Sequence, residues 1–127
     1  MQTKIKSYND LEVYQRSYKL SVIMCTKVII KLPRSEKFGL IDQLNRSSKA
    51  VPRLIAEGFG KKHQKRGFQK YLDDAIAENN ETIVGLCQIR DIYFNEINPK
   101  SIQRLVDEYE ITGKQLYKLK QSWNKFS

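Results

Sequence analysis

The chain has 127 residues, of which 40% are hydrophobic, and this length is typical of one compact domain. Its two cysteines, Cys25 and Cys87, are too few for the disulfide framework of a small secreted protein, and the first ten residues lack the apolar core of a signal peptide. We therefore expect a cytoplasmic protein with a single domain over residues 1–127. The formal net charge of +9 favours contact with polyanions such as nucleic acids, although many basic proteins carry such a charge only for solubility.

Apolar residues recur at intervals of three and four along the chain, which predicts helices and no strands. The first helix is expected over residues 10–31, with Asn9 and Glu12 as its capping pair. Its most apolar part is interrupted by Lys27 and Lys31 and is shorter than the roughly 20 residues of a membrane span, so no membrane contact is predicted. The inner face of this helix is predicted to consist of Leu11, Tyr14, Tyr18, Val22, Cys25, Val28 or Ile29, and Leu32.

The first helix carries a second apolar stripe on the face that its inner stripe leaves uncovered. This outer stripe consists of Val13, Leu20, Ile23 or Met24, and Ile30. The helix could bury a wide face in the core, as helices of globular proteins often do, or the stripe could be a subunit interface. The second interpretation predicts a homo-oligomer whose interface contains Val13, Leu20, Ile23 and Ile30.

Three further helices follow after short breaks. Pro33 ends the first helix, and Ser35 can cap the second. The second helix is predicted to bury Phe38, Ile41, Leu44, Ser48, Val51, Ile55 and Phe59. The third is predicted to bury Phe68, Leu72, Ala75, Asn79, Ile83, Leu86 and Tyr93. The fourth starts at Asn98 and Pro99 and is predicted to bury Ile102, Leu105, Tyr109, Leu116 and Trp123. These elements predict an all-α, antiparallel up-and-down four-helix bundle.

Three segments of the sequence carry a family resemblance: YNDLEVYQ, LPRSEKFGLIDQLNRSSKAVPRLIAEG and FQKYLDDAIAENNET. They resemble successive signatures of the family of 23S rRNA intervening-sequence proteins. The resemblance implies an antiparallel four-helix bundle that assembles into a pentameric ring. Because some relatives are nucleic-acid-binding accessory subunits of retroelement reverse transcriptases, it also implies a reverse transcriptase as one kind of protein partner. The chain departs from the family pattern at Leu54 and Glu78, where asparagine and a small serine-like residue are usual.

The third helix has polar residues on and beside its apolar face. In an antiparallel hairpin of the second and third helices, Asn79 lies level with residues 46–48, so Arg46 can reach Glu78 or Glu81. We predict a structural polar network of Arg46, Asn79 and Glu81 that sets the register of the two helices. A catalytic role is disfavoured because neither a nucleophile nor a second acid accompanies the carboxylate and the arginine.

Positive charge is concentrated in residues 46–70, which contain eight Lys or Arg and one acidic residue. The fourth helix adds a second set of cations along one side. The predicted nucleic-acid-binding residues are Lys49, Arg53, Lys61, Lys62, Lys65, Arg66, Lys70, Lys114, Lys118 and Lys125. Such clusters of cations often form only a solvated surface without a binding function. A ring of subunits, however, would repeat the clusters and could neutralise many phosphates at once.

The sequence contains no recognisable catalytic or metal-binding motif. His63 is the only histidine, and Cys25 and Cys87 lack the close spacing of a metal site. We therefore expect a non-enzymatic protein without cofactor or metal that binds RNA or DNA mainly through phosphates, as an accessory subunit of a nucleic-acid-processing complex. The alternative is a protein-binding scaffold that makes no direct contact with nucleic acid.

Overall fold

The structure, a computed structural model, describes residues 5–126, with side chains up to residue 123. Within this range the chain forms four long helices and no strand: α1 Glu12–Ile23, α2 Leu40–Gly60, α3 Gly67–Ile92 and α4 Pro99–Phe126. After α1 the chain continues as a π-helical turn, Met24–Val28, and a 3-10 turn, Ile29–Lys31. Two more 3-10 turns lie at Tyr8–Asp10 and Arg34–Glu36. The all-α prediction is confirmed.

The helices pack as an antiparallel up-and-down bundle. α3 packs along both α2 and α4, and the shorter α1 contacts α2 and α4. The α1–α2 and α3–α4 connections meet at one end, where the Tyr93 hydroxyl donates a hydrogen bond to the Glu36 carboxylate. At the other end, the Trp123 ring lies edge-on to Phe68 and Phe59, with centroid distances of 4.8 and 6.1 Å. None of the helices in the described residues is long and apolar enough to cross a membrane.

The hydrophobic core consists of two clusters, one above the other along the bundle axis. The first lies at the end of the α1–α2 and α3–α4 connections and includes Leu20, Met24, Leu44, Leu86, Ile102 and Tyr109. The second lies at the end of the α2–α3 turn and includes Val13, Val51, Ile55, Phe68, Leu72 and Leu116. Each cluster takes residues from all four helical segments, so each ties the whole bundle together.

A layer of buried polar side chains separates the two clusters. This polar layer consists of Ser17, Ser47, Ser48, Asn79, Thr82 and Thr112. The Thr82 hydroxyl donates to Ser47 Oγ at 2.8 Å and joins α3 to α2, while Asn79 Nδ2 donates to the backbone oxygen of Tyr109 at 2.8 Å and joins α3 to α4. Ser48 and Thr112 donate to the backbone carbonyls four residues earlier in their own helices. These bonds satisfy polar groups that would otherwise be costly to bury.

The prediction of the buried face of the first helix was partly wrong: Leu11 lies in the core and Tyr14 packs against it, as predicted, but four other residues were assigned to the wrong face. Val13 and Leu20, predicted in a subunit interface, are 4% and 5% exposed and belong to the core. Tyr18 and Val22, predicted in the core, are 55% and 45% exposed. Of the other predicted interface residues, Ile23 is half-buried and Ile30 is 70% exposed.

The π-helical turn accounts for this exchange of faces. A π-helical turn contains one residue more than an α-helical turn, so the residues after it rotate relative to those before it. Ile29 and Leu32 therefore reach the same side of the bundle as Leu20 and Met24. A regular helix would have placed Ile29 and Leu32 nearer to Tyr18 and Val22, the side on which they were predicted.

The predicted helix starts were also partly wrong. The capping box is formed by Ser7 and Asp10 around the 3-10 turn before α1, not by Asn9 and Glu12. α2 begins at Leu40, whose backbone N–H donates to the Glu36 carboxylate at 3.1 Å, and Ser35 does not cap it. Because the helix begins later than expected, Phe38 lies before it and is 88% exposed, although we predicted it in the core.

Candidate nucleic-acid interface

The turn between α2 and α3 displays five of the predicted phosphate-binding residues. This turn cluster consists of Lys61, Lys62, Lys65, Arg66 and Lys70, and all five side chains are exposed. The turn is tight: a Cβ at Gly67 would lie 2.2 Å from the backbone oxygen of Lys61, so only glycine fits there. Arg66, with a φ of 58°, adopts the left-handed conformation that reverses the chain before α3. A compact backbone thus places five cations around one end of the bundle.

None of the five cations forms an ion pair with a carboxylate of the described residues. Two of them rest on aromatic rings: Lys61 Nζ lies 5.5 Å from the centre of the Tyr71 ring, and Lys62 Nζ lies 4.2 Å from that of Phe59. These cation–π contacts orient the ammonium groups without neutralising them. The N-terminus of α3 adds its partial positive charge at the same place.

A cleft of about 610 Å³ opens beside the turn. It is lined by Lys61, Gln64, Lys65, Arg66, Gly67, Lys70, Tyr71, Asp73 and Asp74. The Asp73 carboxylate is paired with Lys120 Nζ at 2.5 Å, which leaves Asp74 as the acid that opposes the four cations of the lining. The cleft therefore has an excess of positive charge and suits an anionic group of a ligand.

The two predicted cations on α2 lie in a different environment. Arg53 is exposed, but it lines a shallow cleft together with the carboxylates of Glu57, Asp74 and Glu78, which weaken its attraction for phosphate. Lys49 is also exposed and lies 12 residues before Lys61, or about 18 Å along the helix. The structure thus does not bring Lys49 and Arg53 into the turn cluster.

The predicted cations of α4 line a groove between α3 and α4. This α3–α4 groove, of about 480 Å³, is lined by Ile76, Asn79, Asn80, Ile83, Glu110, Gly113, Lys114, Tyr117, Lys118 and Gln121. Lys114 and Lys118 are exposed, and neither forms an ion pair within the described residues. The side chain of Lys125 lies outside the described residues. The predicted binding residues are therefore divided between separate surfaces.

A model of the family described as 23S rRNA-intervening sequence protein matches residues 9–118 of the chain. The chain belongs to this family. The match spans α1, α2, α3 and most of α4, and it includes the turn cluster and every lining residue of the α3–α4 groove except Gln121. Searches of curated proteins and of solved structures gave no match. The family resemblance inferred from the three sequence segments is thereby confirmed.

The polar network predicted for this member of the 23S rRNA-intervening sequence protein family does not form. Arg46 donates to Asp42 on the surface of α2 at 3.3 Å, and Glu81 accepts a hydrogen bond from Gln43 at 3.2 Å. Asn79 is fully buried, as predicted, but it contacts α4 rather than α2. The physical reason is the register of α2 and α3, in which Thr82 and not Asn79 lies opposite the serine pair of α2.

An acidic surface between α2 and α3 was not predicted from the sequence; it consists of the carboxylates of Glu57, Asp74, Glu78 and Glu81. Burial raises the pKa of Glu78, and the neighbouring Glu81 carboxylate raises it further, whereas the charge of Arg46 lowers it. The i, i+3 spacing of the two glutamates was a visible signal for this pair. Glu78 lines the shallow cleft beside Arg53, together with Glu57 and Asp74.

The residues considered for catalysis lie apart from one another. His63 is exposed in the α2–α3 turn, while Cys25 and Cys87 are half-buried and not bonded to each other. The Cys25 thiol lies 3.7 Å from Asn45 Oδ1. Within the described residues, no group of three or more His, Cys, Asp or Glu side chains is arranged to hold a metal ion.

Proposed function

We propose that this protein is a non-enzymatic helical-bundle protein that binds RNA or DNA through the turn cluster, as an oligomeric accessory subunit of a nucleic-acid-processing complex. The observation that carries the proposal is the concentration of five exposed cations, none paired with a carboxylate of the described residues, at one end of a chain with a net charge of +9. The description of the family, which refers to an intervening sequence of 23S rRNA, agrees with a nucleic-acid partner.

The proposed mechanism is neutralisation of backbone phosphates with release of their counterions. Each neutralised phosphate contributes about 0.7 to 0.9 to the slope of log affinity against log salt concentration. Five cations per subunit therefore correspond to a slope of about 3.5 to 4.5. Since phosphates carry no sequence information, binding at the turn cluster alone has little sequence preference.

The proposed oligomer uses the outer face of α1. Tyr18 and Val22 are about half exposed on this face, and Ile30, just after the π-helical turn, is more exposed still. Apolar side chains of this kind are covered when subunits associate. The number of subunits, five, comes from the family resemblance. A ring would present several copies of the turn cluster to one nucleic-acid chain and raise the overall affinity by multivalency.

The central experiment removes four of the five charges of the turn cluster, all but that of Lys70, without replacing a core residue. The variant carries Lys61→Gln, Lys62→Gln, Lys65→Gln and Arg66→Asn, because asparagine tolerates the left-handed backbone of residue 66. Its matched control loses four exposed cations that line a groove between the first helical segment and α4, Lys19, Lys27, Lys31 and Arg104, each replaced with glutamine. Binding of an RNA and a DNA fragment is measured over a salt series, and light scattering checks the assembly of each variant.

The turn variant should bind more weakly and with a shallower salt slope than the control variant. Equal losses in both variants would mean that only net charge matters, and the turn cluster would then not be the site. No binding by the wild-type protein at low salt would refute the proposed function.

The oligomer is tested with Val22→Glu, which places a charge in the proposed interface. Gln88→Glu, at an exposed position of α3, is its control. Light scattering should report a smaller particle for Val22→Glu only. A wild-type monomer at micromolar concentration would refute the oligomer.

A second candidate function, a protein-binding scaffold, is favoured by exposed apolar residues at the opposite end of the bundle. This apolar end consists of Ile30, Phe38, Ile92 and Phe94, which are 70%, 88%, 58% and 56% exposed. Aromatic residues are enriched in protein interfaces. The candidate is tested by purifying the protein from its host, where a reverse transcriptase is the partner that the family resemblance implies. A protein retained by the wild type but lost with Phe38→Ser and Phe94→Ser would support it, and identical retention would exclude the apolar end.

A further inference from the structure

We propose that the α3–α4 groove binds an unpaired nucleobase together with its phosphate, so that the protein prefers single-stranded to duplex nucleic acid. The inference rests on the proposed nucleic-acid binding and specifies the class of nucleic acid. It concerns a site distinct from the turn cluster, with apolar, aromatic, polar and cationic side chains in one concave surface.

The floor of the groove contains a buried hydrogen-bond acceptor without a partner. Asn79 is 0% exposed, and its Nδ2 donates to the backbone oxygen of Tyr109. Because a carbonyl oxygen can only accept, the amide nitrogen must face Tyr109, and Oδ1 is the atom that receives no hydrogen bond from the described residues. Buried acceptors are rarely left without a donor, and the amino or ring N–H group of a base can supply one.

Gly113 is the residue of α4 that lies against this amide. A Cβ at this position would lie 3.2 Å from Asn79 Nδ2, so glycine leaves the thinnest cover over a side chain that solvent does not reach. Ile76 and Ile83, both half-buried, form the apolar walls on α3. The volume of about 480 Å³ is within the usual range for small organic groups.

The rim of the groove combines an aromatic ring with two cations. Tyr117 is 54% exposed and offers a face on which a base can stack. Lys114 and Lys118 lie on the same side of α4, within one turn of Tyr117, and can hold the phosphate of the stacked nucleotide. Glu110, one turn before Lys114, repels that phosphate and directs it toward Lys118. Bases within a duplex are stacked and paired, so a groove of this kind favours a single strand.

The position of the groove allows one strand to reach the turn cluster as well. The Asp73–Lys120 ion pair and the contact of Trp123 with Phe68 place the C-terminal half of α4 beside the start of α3. Ile76 lies ten residues after Arg66, or about 15 Å along α3. A strand of a few nucleotides can therefore occupy both surfaces.

The experiment compares three probes: a single-stranded oligonucleotide of mixed sequence, its duplex of equal length, and a mixture of nucleoside monophosphates. Fluorescence anisotropy measures the affinities for the single strand and the duplex at one salt concentration. The affinity for the monophosphates is measured by their competition with the single strand. The variants are Tyr117→Ala, which removes the ring, and Tyr117→Phe, which keeps it. The wild type should bind the single strand at least about 10-fold more tightly than the duplex, and Tyr117→Ala should lose about 10-fold on the single strand alone. Tyr117→Phe should bind like the wild type.

Two further measurements keep the test decisive. If Tyr117→Ala alters folding, as judged by circular dichroism, the double variant Lys114→Gln and Lys118→Gln replaces it and should lower the salt slope for the single strand by about 1.4. Equal affinity for the oligonucleotide and the monophosphates would overturn the proposal in favour of a free nucleotide. Equal affinity for single strand and duplex, unaffected by Tyr117→Ala, would overturn it while leaving binding at the turn cluster intact. Absence of all binding would overturn both proposals.

Discussion

Replacing Gly85 with alanine should destabilise the α2–α3 hairpin that carries the turn cluster. A Cβ at Gly85 would lie 2.6 Å from Leu44 Cδ2 and 3.2 Å from Leu44 Cγ, well inside van der Waals contact. Leu44 is completely buried in the first hydrophobic cluster, so its side chain cannot move aside into solvent. The added methyl group must therefore separate the two helices or force Leu44 out of its rotamer.

The expected magnitude is the difference between two effects. Overpacking of a core costs about 1–3 kcal/mol. Alanine gains about 1 kcal/mol over glycine in the interior of a helix. The net destabilisation for Gly85→Ala is thus as much as about 2 kcal/mol. Gly60 is the matched control, because it ends α2 and a Cβ there would meet nothing within 4 Å. Gly60→Ala should be neutral or slightly stabilising.

The assay is urea unfolding followed by far-ultraviolet circular dichroism. Gly85→Ala should lower the midpoint without changing the slope of the transition, while Gly60→Ala should not lower it. Shortening the neighbour with Leu44→Val should reduce the penalty of Gly85→Ala in the double variant, since the two side chains compete for one space. If Gly85→Ala proves more stable than the wild type, α2 and α3 do not approach each other at Gly85 as closely as the 2.6 Å distance to Leu44 implies.

Three further predictions concern Leu20 in the hydrophobic core, Thr82 in the polar layer and the carboxylate of Glu78. Leu20→Ala should lower the free energy of unfolding in urea by about 2–5 kcal/mol, because it opens a cavity in the core. A loss below about 1 kcal/mol would instead support the interpretation of Leu20 as a subunit-interface residue. Thr82→Val should cost about 1–3 kcal/mol in thermal unfolding because Ser47 loses its buried partner, whereas Thr82→Ser should restore most of the stability. The raised pKa of Glu78 means that the folded protein holds this proton more tightly than the unfolded chain. Its contribution to stability is therefore present below the ordinary pKa of glutamate and is lost as the pH rises through the raised value. Glu78→Gln should flatten this decline in a pH series of urea unfolding, and an unchanged decline would contradict the assignment.

Much of the fold could be predicted from the spacing of apolar residues. The inner faces of α2, α3 and α4 each follow one uninterrupted period, so Val51, Leu72 and Leu116 were placed correctly in the core. Proline and glycine marked the breaks between helices to within a few residues. Local signals of this kind act over a few positions and do not depend on how the helices are arranged.

The face of α1 could not be predicted in the same way. The π-helical turn leaves no clear mark in the sequence, and it changes the period in the middle of the helix. Ser17 and Ser21 lie on the buried side of α1, although serine is more often exposed. Each donates its hydroxyl to the backbone carbonyl three residues earlier, which lets serine enter a core.

For the candidate site, the sequence identified the cations but not their surroundings. The exposure of Lys65 and Arg66 in a turn follows from local composition. Two of the three acids beside Arg53, Asp74 and Glu78, come from α3, and their distance along the chain hides them from local analysis. The partner of Asn79 is likewise a backbone oxygen 30 residues away, which only the packing of α3 on α4 reveals.

The polar layer also determines which wrong packings the bundle avoids. Leucine, isoleucine and valine fit one another in many ways, so two aliphatic clusters alone would tolerate a slip of α3 along α2 by one turn, about 5.4 Å. Such a slip would move Thr82, which keeps its bond to the Glu78 backbone oxygen, away from Ser47 and leave the Ser47 hydroxyl facing hydrocarbon, at a cost that the native pairing does not incur. The alignment of α2 and α4 against α3, on which both the turn cluster and the α3–α4 groove depend, is therefore set by a few hydroxyl and amide groups in the middle of the molecule.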